Sequence, residues 1–140
     1  MANTQAISGT MKQVALRAVV DGKSLKAALY LASATTNGTN TVYTATGEVS
    51  GTNYTAGGVS VTNANTAGLT STTAYWTPSA SITYTTVTLS TAFDAVMIYS
   101  TTDTNRNLGV FTFGSQTITA GTLTLTMPTN DSSTGLIRFA

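Results

Sequence analysis

The sequence predicts a mainly β protein: a single-domain antiparallel β-sandwich of jelly-roll type with about eight strands, a short N-terminal helix and an extended N-terminal arm. Three observations predict it. Apolar residues recur at every second position in run after run, as at Leu25, Ala27, Leu29 and Leu31 and again at Leu123, Leu125 and Met127, the period of a pleated strand. Turn-forming Gly, Asn, Asp and Pro interrupt these runs roughly every 8–12 residues. Thr and Ser make up about a third of the chain, and Thr favours strands.

Residues 1–10 form the expected arm and residues 11–140 the sandwich. In the arm Ile7 is the one sizeable apolar side chain besides Met1, too little to fold alone, and ten extended residues reach about 33 Å. Met11 to Val20, MKQVALRAVV, carries two spacings. Met11, Val14, Ala15, Ala18 and Val19 follow a helical stripe, while Val14, Leu16 and Val20 fit alternation. Its Ala, Leu, Met, Lys, Gln and Arg content favours the helix. Asp21-Gly22 is a turn signal.

Ser24 to Ala34 is the first expected strand, with Leu25, Ala27, Leu29 and Leu31 on one face and Lys26, Ala28 and Tyr30 on the other. Gly58 to Thr62 is the second, and Leu69 to Trp76 the third, stopped by Pro78. Ile82 to Leu89 alternates with a change of phase between Thr85 and Thr86, which predicts a bulge. Phe93 to Tyr99, FDAVMIY, is apolar on both faces and so needs two covers. Phe93, Met97 and Tyr99 are expected on one face and Val96 and Ile98 on the other, with the N-terminal helix or a partner subunit as the second cover. Leu108 to Phe113, Gln116 to Thr119, the alternating Leu123 to Met127 and Leu136 to Phe139 complete the set.

The punctuation is densest in Thr41 to Gly58, TVYTATGEVSGTNYTAGG. It contains the only glutamate, Glu48, and Gly47, Gly51, Gly57 and Gly58. It predicts an ordered loop shaped by glycine and pinned to the core by Tyr43 and Tyr54.

Four stretches, LKAALYLASA, GEVSGTNYTAGG, MIYSTTDTNRNLGVFTFG and AGTLTLTMP, carry a resemblance in matching order from about Leu25 to Met127. They resemble a family of small tailed-bacteriophage virion proteins that decorate or cement the outside of the capsid. The segment Met11 to Val20 departs from that family's acidic, His-containing form. The resemblance implies a structural protein on the outer capsid surface, made in the host cytoplasm, that binds the major capsid protein across neighbouring subunits. It also implies self-association at a symmetry axis, as a homodimer or else a trimer.

Composition bounds the chemistry. The 140 residues contain no Cys and no His, which removes triads, thiol nucleophiles and the usual transition-metal ligands. Five acids fall in no recognisable constellation. Asp94 opens an apolar strand, where an unpaired buried carboxylate is costly; a strand-edge or turn position satisfied by backbone is the expected setting. The sequence therefore predicts no enzyme, no cofactor and no metal. Charged residues are 8% of the chain and the net charge is +1, so no nucleic-acid partner is expected. No stretch has the ~18 apolar residues of a membrane span, and MANTQAISGT lacks the basic start and apolar core of an export signal.

The charge is unevenly placed. Lys12, Arg17, Lys23 and Lys26 stand against Asp21 alone in the first 26 residues. The expected partner-binding residues are Met1, Ala2, Asn3, Thr4, Gln5 and Ile7 of the arm with Lys12, Arg17, Lys23 and Lys26. Removing residues 1–10 is expected to abolish capsid attachment without unfolding the domain. The alternative is a phage fibre or adhesin module stacking host carbohydrate on Tyr30, Tyr54, Tyr75 or Trp76, although Trp76 beside Tyr75 and Pro78 also fits a packed strand end. A third reading is an ice-binding face on Thr122, Thr124 and Thr126, about 6.6 Å apart along one side of a strand.

Overall fold

The computed structural model describes residues 2–140. Helix α1 (Gly9–Val20) is followed by β1 (Leu25–Leu31), β2 (Val59–Val61), β3 (Gly68–Thr70), β4 (Thr73–Trp76), β5 (Ile82–Ser100), β6 (Arg106–Leu125) and β7 (Ile137–Phe139). The strands form two antiparallel sheets, ordered β2-β1-β5-β6 and β3-β4-β7. The fold is the expected β-sandwich with one short helix. Seven strands in sheets of four and three stand where a jelly roll has eight.

The long hairpin β5–β6 builds most of it. Where the sequence suggests two strands and then three, the chain makes one of 19 residues and one of 20. Ser90-Thr91-Ala92 offers no Gly or Pro to end a strand, so the ladder bends instead of breaking. Gly114 and Gly121, which fall between the expected strands, sit inside β6, where glycine marks bends and bulges. The bend is large. Ile82 and Ile98 are separated by about 53 Å in a straight strand, yet both line one groove. The hairpin therefore folds over on itself, and its two halves enclose the main core.

Local registers follow from single residues. The expected bulge appears where pairing skips from Tyr84↔Leu123 to Val87↔Gly121, with Thr86 at φ 50°. A second skip, from Tyr30↔Ala95 to Leu31↔Phe93, leaves Asp94 as the extra residue. This bulge corrects the expected faces of β5. Phe93 joins Val96 and Ile98 in the main core, while Met97 and Tyr99 join Ala28 and Tyr30 on the other face. One inserted residue reverses the alternation. Leu69 to Trp76 is likewise not one strand but the hairpin β3–β4, turning at Ser71 with φ 55°. No glycine marks that turn, so the sequence hides it.

α1 starts at Gly9, two residues before the expected start. Gly9, Leu16 and Val20 are buried, and Gln13 between them donates to the Ala67 carbonyl at 3.0 Å. The buried face is thus Gly9, Gln13, Leu16 and Val20, a helical stripe. Arg17 also reaches the Ala67 carbonyl, at 3.4 Å, and Asp21 accepts the Ala67 N–H at 2.8 Å. Asn63 caps the far end, donating to the carbonyls of Val20 and Lys23 and accepting from the fully buried Trp76 indole. The helix packs on β3 and β4. It does not supply the second cover of β5; the loop from Tyr43 to Gly58 does.

Candidate functional site

That loop is built around Glu48. The backbone of Gly47 and Val49 bonds to Leu31 and Leu29 at 2.9 and 3.0 Å, which extends the sheet beside β1 where β2 ends. The Glu48 carboxylate accepts the Tyr43 hydroxyl at 2.6 Å, the Tyr54 hydroxyl at 2.7 Å and the Gly57 N–H at 2.7 Å. The Tyr54 hydroxyl in turn accepts the Leu29 N–H at 2.9 Å. Tyr99 donates to the Gly57 carbonyl at 2.7 Å and stacks on Tyr43 with ring centroids 4.8 Å apart. Tyr30 donates to the Thr44 carbonyl at 2.6 Å and Tyr84 to the Ala27 carbonyl at 2.7 Å.

Burial and the nearby Glu48 charge raise the pKa of all five tyrosines, with burial the larger cause. Tyr30 is pushed up to about 12. Neutral phenols that donate to a carboxylate and to carbonyls hold a loop; they are poor bases and poor nucleophiles. Gly58 completes the loop at φ +75°, where a Cβ would overlap the Ala27 carbonyl oxygen. The two expected pins, Tyr43 and Tyr54, are in place, and the whole cluster is a clamp.

Chemistry-bearing residues elsewhere are also structural in setting. Asp94 is half-exposed at its bulge, so no isolated carboxylate is buried there. Asp131 accepts the N–H groups of Ser133 and Thr134, both at 2.7 Å, and these bonds hold its carboxyl below the usual range. Among the described residues, no group of three His, Cys, Asp or Glu side chains could hold a metal ion, and no helix is long and apolar enough to cross a membrane.

The expected partner-binding residues fall into three places. Ala2, Asn3, Thr4, Gln5 and Ile7 form an exposed segment leading into α1; Met1 lies outside the described residues. Lys12 and Arg17 lie on α1, with Lys12 donating to the Thr72 carbonyl at 3.2 Å and Arg17 paired with Asp21 at 3.6 Å. Lys23 is bonded to Asp103 at 3.1 Å, which holds that carboxyl below the usual range and ties the end of α1 to the β5–β6 turn. Lys26 is part-buried within β1, opposite Tyr99 and Ser60.

The helix orientation produces a feature that the list of expected residues lacks. Ile7, Met11 and Val14 are 59%, 54% and 60% exposed; Met11 and Val14, three apart, share one side of the helix start, and Ile7 precedes the Ser8 N-cap in the extended segment. Ala15 and Ala18 are exposed as well. Of the stripe seen in the sequence, Met11, Val14, Ala15 and Ala18 face outward, while Val19 is half-buried against the main core. The signal was present in Gly9, Gln13, Leu16 and Val20, a competing stripe anchored by Leu16.

No family model matches the chain, and no curated protein or solved structure resembles it significantly.

Of the aromatic residues considered for stacking sugar, Tyr30 and Trp76 are fully buried and the Tyr54 hydroxyl is engaged on both sides. Thr122, Thr124 and Thr126 are exposed, though Thr122 accepts the Thr86 N–H at 3.3 Å.

Proposed function

We propose that the protein is a structural virion component. It binds the outer surface of a tailed-phage capsid, cements neighbouring major capsid protein subunits and associates with further copies of itself. One observation carries the reading: Met11 and Val14 are apolar and uncovered on the first turns of α1, directly after an exposed N-terminal segment that carries no charged side chain and includes the exposed Ile7. The resemblance from about Leu25 to Met127 supplies the capsid as the partner. The Glu48 clamp supplies rigidity, fixing the longest loop without a disulfide.

Magnitudes constrain how attachment works. Each of the three side chains is already about half covered, so completing its burial is worth roughly 1 kcal/mol. Some 3 kcal/mol in total falls short of even millimolar affinity. The remainder must come from backbone pairing of the arm with the shell and from the many copies that bind at once.

The test is deletion of residues 2–8, which leaves α1 whole. The truncated chain should keep the parent's melting temperature and lose attachment to shells of the major capsid protein. Undiminished co-sedimentation of the truncated chain with shells would refute the reading.

A further inference from the structure

The outer edge of β6 is unpaired over most of its length. At its start Val42 bridges Arg106, and the Thr41 carbonyl accepts the Asn107 N–H at 3.0 Å. Beyond Asn107, no other strand among the described residues pairs with that edge. Natural edges are blunted by charge, proline or a bulge. From Asn107 to Met127 there is no charged residue and no proline, and between register shifts at Leu108 and at Phe113 to Ser115 the run Gly109 to Thr112 pairs residue by residue with Ile98 to Ala95, free of bulges.

The stretch also has the sequence of an interior strand. Leu108, Phe111 and Phe113 are half-buried on the main core and Val110 on the second cluster. Apolar residues on both faces suit a strand with sheet on either side. Phe111 and Phe113 further line the open groove of about 400 Å³ between the two halves of the folded hairpin. The core is therefore open where the edge is bare.

We propose that Leu108 to Phe113 pairs antiparallel with the same stretch of a second copy across a twofold axis, joining two four-stranded sheets into one of eight. A strand meeting its own copy needs no complementary sequence, and twofold dimers are the commonest assemblies. An uncharged edge brings no like charges together at the axis. The inference deepens the self-association in the function proposed above and rests on it, but involves neither the arm nor a shell.

Sedimentation of the purified full-length chain at ~100 μM tests it. Thr112 is exposed, so Thr112→Lys should fold with an unchanged melting curve; Val110→Lys probes the neighbouring position. The expected result is a dimer for the parent chain and at least about tenfold weaker association for Thr112→Lys, because the twofold brings the two introduced charges close together on either side of the axis. Amide exchange within residues 108–113 should slow as the parent concentration rises. A monomeric parent chain overturns the proposal, as does a dimer that persists in both lysine variants. A dimer lost on deleting residues 2–8 also overturns it, by making the arm the occupant. Because no shell is present, failure here leaves the capsid-binding result to stand or fall separately.

Discussion

The Glu48 carboxylate accepts the Tyr54 hydroxyl at 2.7 Å, and through that hydroxyl it is linked to the Leu29 N–H in the middle of β1. The one glutamate in the chain thus fastens its longest loop to its most buried strand. Glu48→Ala leaves two phenols and the Gly57 N–H without their acceptor. Unsatisfied groups in such a setting cost about 1–3 kcal/mol each, so urea denaturation should show a loss on the order of 3–5 kcal/mol. Glu48→Gln keeps one acceptor oxygen and should lose about half as much.

Gly58→Ala should be more damaging than its size suggests. The backbone there is left-handed, and the new methyl group would meet the Ala27 carbonyl oxygen within β1. Strain of about 1–3 kcal/mol for the conformation alone adds to displacement of a central strand. A melting temperature lowered by 10 °C or more, roughly, is expected from the combined cost, while Gly38→Ala, in open space, should leave it unchanged.

The five clamp tyrosines, Tyr30, Tyr84 and Tyr99 buried and Tyr43 and Tyr54 half-buried, predict alkaline instability with a definite sign. Their folded pKa values lie above the unfolded value near 10. The stability they contribute is whole below that pH and is lost as pH climbs through the folded values. Stability should be flat to about pH 10 and then fall by up to roughly 1.4 kcal/mol per pH unit for each tyrosine that ionises only on unfolding. Tyrosinate absorbance should rise together with loss of the fold rather than before it.

Helix orientation can be checked by a pair of truncations. Leu16 is fully buried and Val14 is mostly exposed. Leu16→Ala should cost about 2–4 kcal/mol, whereas Val14→Ala should stay within about 0.5 kcal/mol of the parent. The reverse ranking would place the apolar stripe against the core.

The sequence made several of these features legible. Alternation in Leu25 to Leu31 assigns both faces of β1, and the phase change after Thr85 marks a bulge that is present. Glycine spacing around Glu48 marks the ordered loop. The clamp itself was not legible, because nothing local links Glu48 to Tyr99 or Tyr84. The flipped face of Phe93 was hidden for a similar reason: a bulge at Asp94 depends on pairing with β1, not on Asp94's neighbours in sequence. The buried face of the helix was not legible, because Met11, Val14 and Ala18 compete with Leu16 and Val20 in the sequence and burial is decided by fit against β3 and β4.

In the proposed function the arm and the exposed apolar side chains of α1 hold this protein on a shell. Mass spectrometry of purified phage particles, made with the parent chain or with Val14→Asp, tests it most directly. The expected result is a copy number comparable with that of the major capsid protein for the parent chain, and particles nearly free of the variant although it folds normally. A parent chain absent from particles, confined to a few copies per particle, or equally abundant with Val14→Asp would contradict it.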